Sequence, residues 1–125
     1  DQDFLGVMRA CADRREGTWI NQQFYDVYGE LNKLGYAHSV EVWLDARLVG
    51  GTYGVSIGKA FMAESMFHYE TDASKVALYY LIELLNRYDF QLLDVQFLTP
   101  HLSSLGAVEI TNDEYQRRLK SALAG

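Results

Sequence analysis

A chain of 125 residues that is 49% hydrophobic and 14% aromatic carries enough apolar material for one packed domain and is not a disordered segment. Its net charge of -6 excludes wrapping polyanions along the whole surface, so a nucleic-acid contact would rest on a local basic patch. The lone Cys11 excludes an internal disulfide framework and suits a reducing cytoplasm, and no apolar run approaches the roughly 18 residues of a membrane span. No signal-peptide pattern opens the chain, and a start at Asp1 rather than Met reads as a piece of something longer.

In chain order, Phe4, Leu5, Met8, Cys11 and Ala12 recur at helical spacing. Thr18 is placed to cap a second helix reaching about Leu34, with Ile20, Phe24, Val27, Tyr28 and Leu31 on its apolar face and Gly35 ending it. Ser39 to Leu44 alternates as a strand. Asp45-Ala46-Arg47 reads as a turn, and Leu48 to Ile57 with Lys59 to Phe67 as a hairpin about Gly58. Asp72 is expected to cap a helix that buries Val76, Tyr80, Leu81, Leu84, Leu85 and Tyr88. Gln91 to Leu98 reads as a strand, His101 to Leu105 as a short helix and Val108 to Ile110 as a short strand. Asn112 caps a terminal helix through about Leu123. A meander, a crossover helix and a further strand give a mixed α/β (α+β) fold: a mixed central sheet flanked by helices. This order resembles the fold of the Gcn5-related acyltransferases.

Three polar residues sit inside apolar segments. Glu64 lies among Phe61, Met62, Met66 and Phe67; Asp94 and Gln96 lie among Leu92, Leu93, Phe97 and Leu98. Buried polar groups need a partner or a task. Residues two apart in a strand share a face, which sets Asp94 beside Gln96. A polar strand face accounts for the same pattern. Gly50, Gly51, Gly54 and Gly58 mark either bulges or a place where the sheet opens for another chain. Lys75 at a helix start is a weak anion signal. His38, His101 and Cys11 do not have metal-ligand spacing, so no metal and no cofactor are expected.

Several blocks agree on a family. Ala37-His38-Ser39-Val40-Glu41-Val42-Trp43, Leu48-Val49-Gly50-Gly51-Thr52-Tyr53-Gly54-Val55, Glu64-Ser65-Met66-Phe67, Ala73-Ser74-Lys75, Leu93-Asp94-Val95-Gln96, and His101 with Ser104-Leu105-Gly106-Ala107 together resemble the leucyl/phenylalanyl-tRNA–protein transferases. The resemblance spans about Phe4 to Leu123. It implies a cytoplasmic aminoacyltransferase that moves Leu or Phe, or Met, from the 3′ end of aminoacyl-tRNA to a protein N-terminus bearing Arg or Lys, creating a degradation signal. It also implies that residues 1–125 form one catalytic domain, with the family's smaller preceding domain absent. Asp94, Gln96 and Glu64 become catalytic candidates. Trp43, Thr52, Met66, Leu93 and Glu41 become substrate contacts: Thr52, Met66 and Leu93 around the amino-acid side chain, Trp43 stacking on the terminal adenine, and Glu41 an alternative to Glu64 at the cationic acceptor. Thr52 stands where better-known members carry Met, and Ala63 replaces the usual Gly before Glu64.

Two rival functions come from other classes. A coenzyme-A N-acetyltransferase of the same fold wants a glycine-rich loop before its crossover helix, to present backbone amides to a pyrophosphate. Here that segment is Tyr69-Glu70-Thr71-Asp72-Ala73-Ser74-Lys75, with acids and no glycine. A non-catalytic binding fragment leaves the polar trio and the glycine cluster without a purpose.

Overall fold

In a computed structural model, the described residues are 1–14, 22–70, 72–95 and 107–124. Helices α1 (Phe4–Arg14) and α2 (Gln22–Lys33) precede strands β1 (Ala37–Leu44), β2 (Arg47–Ile57) and β3 (Ala60–His68). Helix α3 (Ala73–Arg87), strand β4 (Leu92–Asp94) and helix α4 (Asn112–Ala124) follow. The sheet runs β1-β2-β3-β4, antiparallel through β3 and parallel between β3 and β4. Parallel neighbours require a crossover, and α3 provides it. The expected mixed sheet with flanking helices is the architecture found.

Both faces of the sheet are covered. On one, the expected α1 stripe of Phe4, Met8, Cys11 and Ala12, joined by Val7, packs on Ala37, Tyr53 and Phe67. Phe24, Tyr25, Tyr28 and Leu31 of α2 lean on the same cluster. Val7, Met8, Cys11 and Phe67 are at most 1% exposed. Burying apolar side chains of Val to Phe size stabilises by about 1.5–3 kcal/mol each, so this layer anchors α1 firmly. On the other face, Leu78, Leu81 and Leu85 of α3 meet Phe61 and Ala63. Alternation along β1 sends Ala37, Ser39 and Glu41 toward α1 and His38 and Val40 toward α3.

Several expectations need correction. Helix α3 buries Ala73, Ser74, Ala77, Leu78, Leu81 and Leu85, while Val76, Tyr80, Leu84 and Tyr88 are exposed. The reason is close approach. A Cβ at Gly50 would lie 2.5 Å from the Ala73 Cβ, so the helix seats through small residues that a hydrophobicity count overlooks. Val27 of α2 is likewise exposed, and Tyr25 takes a place against the core. Asp72 stands at the α3 N-cap in a left-handed conformation with no side-chain cap bond. Thr111, not Asn112, caps α4: its Oγ1 accepts from the Glu114 amide at 3.1 Å. Strand β4 is found over Leu92–Asp94, within the expected Gln91 to Leu98, and Val108–Ile110 forms no strand. Thr18, Ile20, Gln96 to Leu98 and the expected short helix at His101 to Leu105 lie outside the described residues.

Candidate functional site

The β2–β3 ladder skips one residue. Tyr53 pairs with Ser65 and Gly54 pairs with Ala63, leaving Glu64 as the extra residue of a bulge. Bulges re-aim side chains. Phe61 and Ala63 belong to the α3 side and Phe67 to the α1 side. Counting inward from both, Glu64 and Ser65 both turn toward α1 and α2. Tyr28 of α2 meets Glu64 there. Burial first, then the Glu64 charge and a hydrogen bond between the two side chains, push the Tyr28 hydroxyl above its ordinary pKa of 10.0. Tyr28 therefore stays a neutral donor to the carboxylate at physiological pH.

Asp94 lies on the same side. In the β3–β4 ladder Leu93 pairs with Phe61 and Asp94 with Met62. Leu93 joins the cluster under α3, so Asp94 points to the opposite face, the one that Glu64 occupies. Tyr115 of α4 donates to Asp94 Oδ2 at 2.7 Å. That hydrogen bond first, then burial and the Asp94 charge, raises the Tyr115 pKa above 10.0. Each carboxylate thus accepts from a neutral tyrosine on a flanking helix. Among the described residues the ladder ends at Met62–Asp94, two positions before the Glu64 bulge.

Through the sheet, on the α3 side, lies an apolar cavity of about 430 Å³. Thr52 and Phe61 floor it, Leu81, Leu84 and Leu85 roof it, and His38 and Ser56 add polar edges. Thr52 is 1% exposed, and its Oγ1 donates to the Ser65 carbonyl at 2.8 Å, so it offers the cavity its methyl rather than a free hydroxyl. Gly54 keeps this region open to Phe61. A Cβ there would sit 2.3 Å from the Met62 carbonyl and 2.6 Å from the Phe61 ring. Met66 and Leu93 pack against the same cluster under α3. The structure thus groups Thr52, Met66 and Leu93 on one face of the sheet and Glu64 and Asp94 on the other.

Glu41 and Trp43 form a separate group on edge strand β1. Three strand spacings, or about 14 Å, separate β1 from β4. Glu41 accepts from the Asp3 amide at 2.8 Å, Ser39 Oγ at 2.7 Å and Trp43 Nε1 at 3.2 Å. Burial acts to raise its pKa, but these donors and the Asp1 amino group outweigh burial and lower it. Gln96, the third of the polar trio, falls outside the described residues. Lys75 pairs with Asp72 at 3.4 Å. Tyr28 and Tyr115 escaped the sequence reading. The only signal was a tyrosine on each helix, which apolar periodicity counts as core.

The family described as leucyl/phenylalanyl-tRNA protein transferase matches residues 1–120. A protein of that name from a Ruegeria species is 56% identical over 123 residues, covering 98% of this chain and 58% of the relative. One from Cereibacter sphaeroides is 57% identical over 125 residues, covering all of this chain and 58% of the relative. The chain therefore spans under three-fifths of these relatives' length. Among solved structures, a ribosomal-protein-alanine N-acetyltransferase from Brucella melitensis superposes with a TM-score of 0.65 at 13% identity, over 87% of this chain and 84% of that one. That likeness concerns the fold alone.

Proposed function

This chain belongs to the leucyl/phenylalanyl-tRNA protein transferase family, and from that premise we propose that it is a catalytic domain transferring Leu or Phe from aminoacyl-tRNA to the α-amino group of a protein beginning with Arg or Lys. The observation that carries the reading is that two carboxylates bonded to tyrosines, Glu64 and Asp94, share one face of a sheet whose other face holds an apolar cavity at Thr52 and Phe61. An aminoacyl ester carries a reactive carbonyl next to an apolar side chain, and this arrangement has a place for each. Cytoplasm is the compartment in which charged tRNA and such proteins meet.

In this reading the side chain of Leu or Phe packs against Thr52, Met66 and Leu93, and the ester carbonyl lies near Asp94. The neutral α-amine attacks that carbonyl. A C–N bond forms, the C–O bond to the ribose breaks, and the amine's proton ends on the ribose oxygen. The ester is already activated, so positioning supplies most of the acceleration. Gln96 holds the amine by its carbonyl oxygen, Asp94 orients that amide, and Glu64 faces the acceptor's cationic end. Glu41, saturated with donors on the far edge strand, is the weaker partner for that cation. Trp43, half-exposed beside it, remains the aromatic face offered to an adenine.

The acetyltransferase fold admits the rival coenzyme-A chemistry. The connection from β3 to α3 has no glycine and carries Glu70 and Asp72, which does not suit a pyrophosphate. Incubation with labelled Leu-tRNA and a peptide starting with Arg is the direct test in the full-length protein. Labelled peptide is the expected product. Failure to label it, together with a thermal shift by coenzyme A and none by puromycin, would replace this reading with the acetyltransferase one.

A further inference from the structure

We propose that Tyr115 is a positioning residue for aminoacyl transfer, its hydroxyl fixing the direction of the Asp94 carboxylate at the end of β4. The inference rests on the role given to Asp94 above. Asp94 is the last residue of β4 and pairs with Met62 of β3. The 2.7 Å bond from Tyr115 to Oδ2 supplies a restraint from outside the strand. A neutral hydroxyl bonded to a carboxylate makes a strong, directional contact.

The helix carrying Tyr115 is itself fixed to the site. At its start the Thr111 side chain caps it, and the Tyr115 amide donates to the Thr111 carbonyl at 2.9 Å. At its end the Ala122 carbonyl accepts from the Lys59 amide at 2.8 Å, in the β2–β3 turn. Ser121 Oγ bonds Gln91 Oε1 at 3.0 Å, immediately before β4. Helix α4 is therefore tied to the hairpin that carries Glu64 and to the strand that carries Asp94. A side chain delivered from such a frame is held to a narrow range of positions, which orientation of a catalytic group requires.

The test compares kcat and both KM values for Leu transfer from Leu-tRNA to an Arg-peptide, in the full-length protein. Tyr115→Phe removes one hydroxyl and keeps the ring. The expected result is a fall in kcat of about tenfold, the scale of one hydrogen bond to a charged group, with each KM within about twofold. In an Asp94→Asn background, Tyr115→Phe should change kcat by less than about twofold, because the hydroxyl acts through that carboxylate. A Tyr115→Phe kcat near wild type overturns the proposal. So does an equal fall in the Asp94→Asn background, which marks a tie of α4 to the fold and nothing more. If Asp94→Asn alone transfers at the wild-type rate, the role of Asp94 fails and the proposal with it. That outcome is distinct from a slow Asp94→Asn beside an unimpaired Tyr115→Phe.

Discussion

Asp94 and Glu64 share a sheet face and a kind of partner, yet removing them should read out differently. Asp94→Ala and Gln96→Ala should each slow single-turnover transfer by about 30- to 1,000-fold, the cost of one positioned hydrogen bond in a transition state, while circular dichroism stays native. Wild-type rates in both would remove these residues from the chemistry. Glu64→Gln keeps the shape and loses the charge. If Glu64 faces the acceptor, KM for Arg-peptides should rise several-fold while KM for aminoacyl-tRNA holds. The reverse ordering would assign Glu64 to the adenosine end instead. Tyr28 still has an amide oxygen to bond in this variant, so the comparison isolates charge.

At the scale of elements, the strands were more legible in the sequence than the helix faces. Period-two alternation and turn residues located β1, β2 and β3 within a few residues, because each strand is bounded by a turn at Asp45-Ala46 or Gly58. Helix α3 was found but rotated. Its buried face begins with Ala73 seated against Gly50 and continues through Ser74 and Ala77, and small residues leave almost no hydrophobic signal. In the candidate site the two strand carboxylates were legible and their helical partners were not. Glu64 and Asp94 stand out as charges in apolar runs, whereas which helix would bring Tyr28 and Tyr115 to them depends on tertiary packing. The contact of Gly50 with Ala73 makes a prediction of its own. Gly50→Ala places a methyl against the backbone and Cβ of Ala73, at 3.0 and 2.5 Å, where neither can swing away. Overpacking of this kind costs about 1–3 kcal/mol, so Tm should fall on the order of 5–10 °C. An unchanged Tm in a thermal melt would mean that α3 rides up without penalty.

For the molecule as a whole, the first residues are bound to the edge of the sheet through Glu41, whose side chain is 4% exposed. Its folded pKa lies below its ordinary 4.5. Between those two values the unfolded chain holds a proton that the folded chain has released, so stability rises with pH across that interval. The contribution is complete above about 4.5 and disappears as pH falls through the folded value. Wild-type Tm should therefore drop more steeply below about pH 4.5 than that of Glu41→Gln, and parallel curves would show that Glu41 is not responsible. Cys11 offers a view of the opposite event. It is the chain's only thiol and lies sealed between α1 and the sheet at 1% exposure. A thiol reagent can reach it only when that helix lifts away, and each molecule can be labelled only once. Native protein should resist labelling over minutes and take up one equivalent in denaturant. Its labelling rate then serves as a clock for the opening of a single interface, with no engineered probe added.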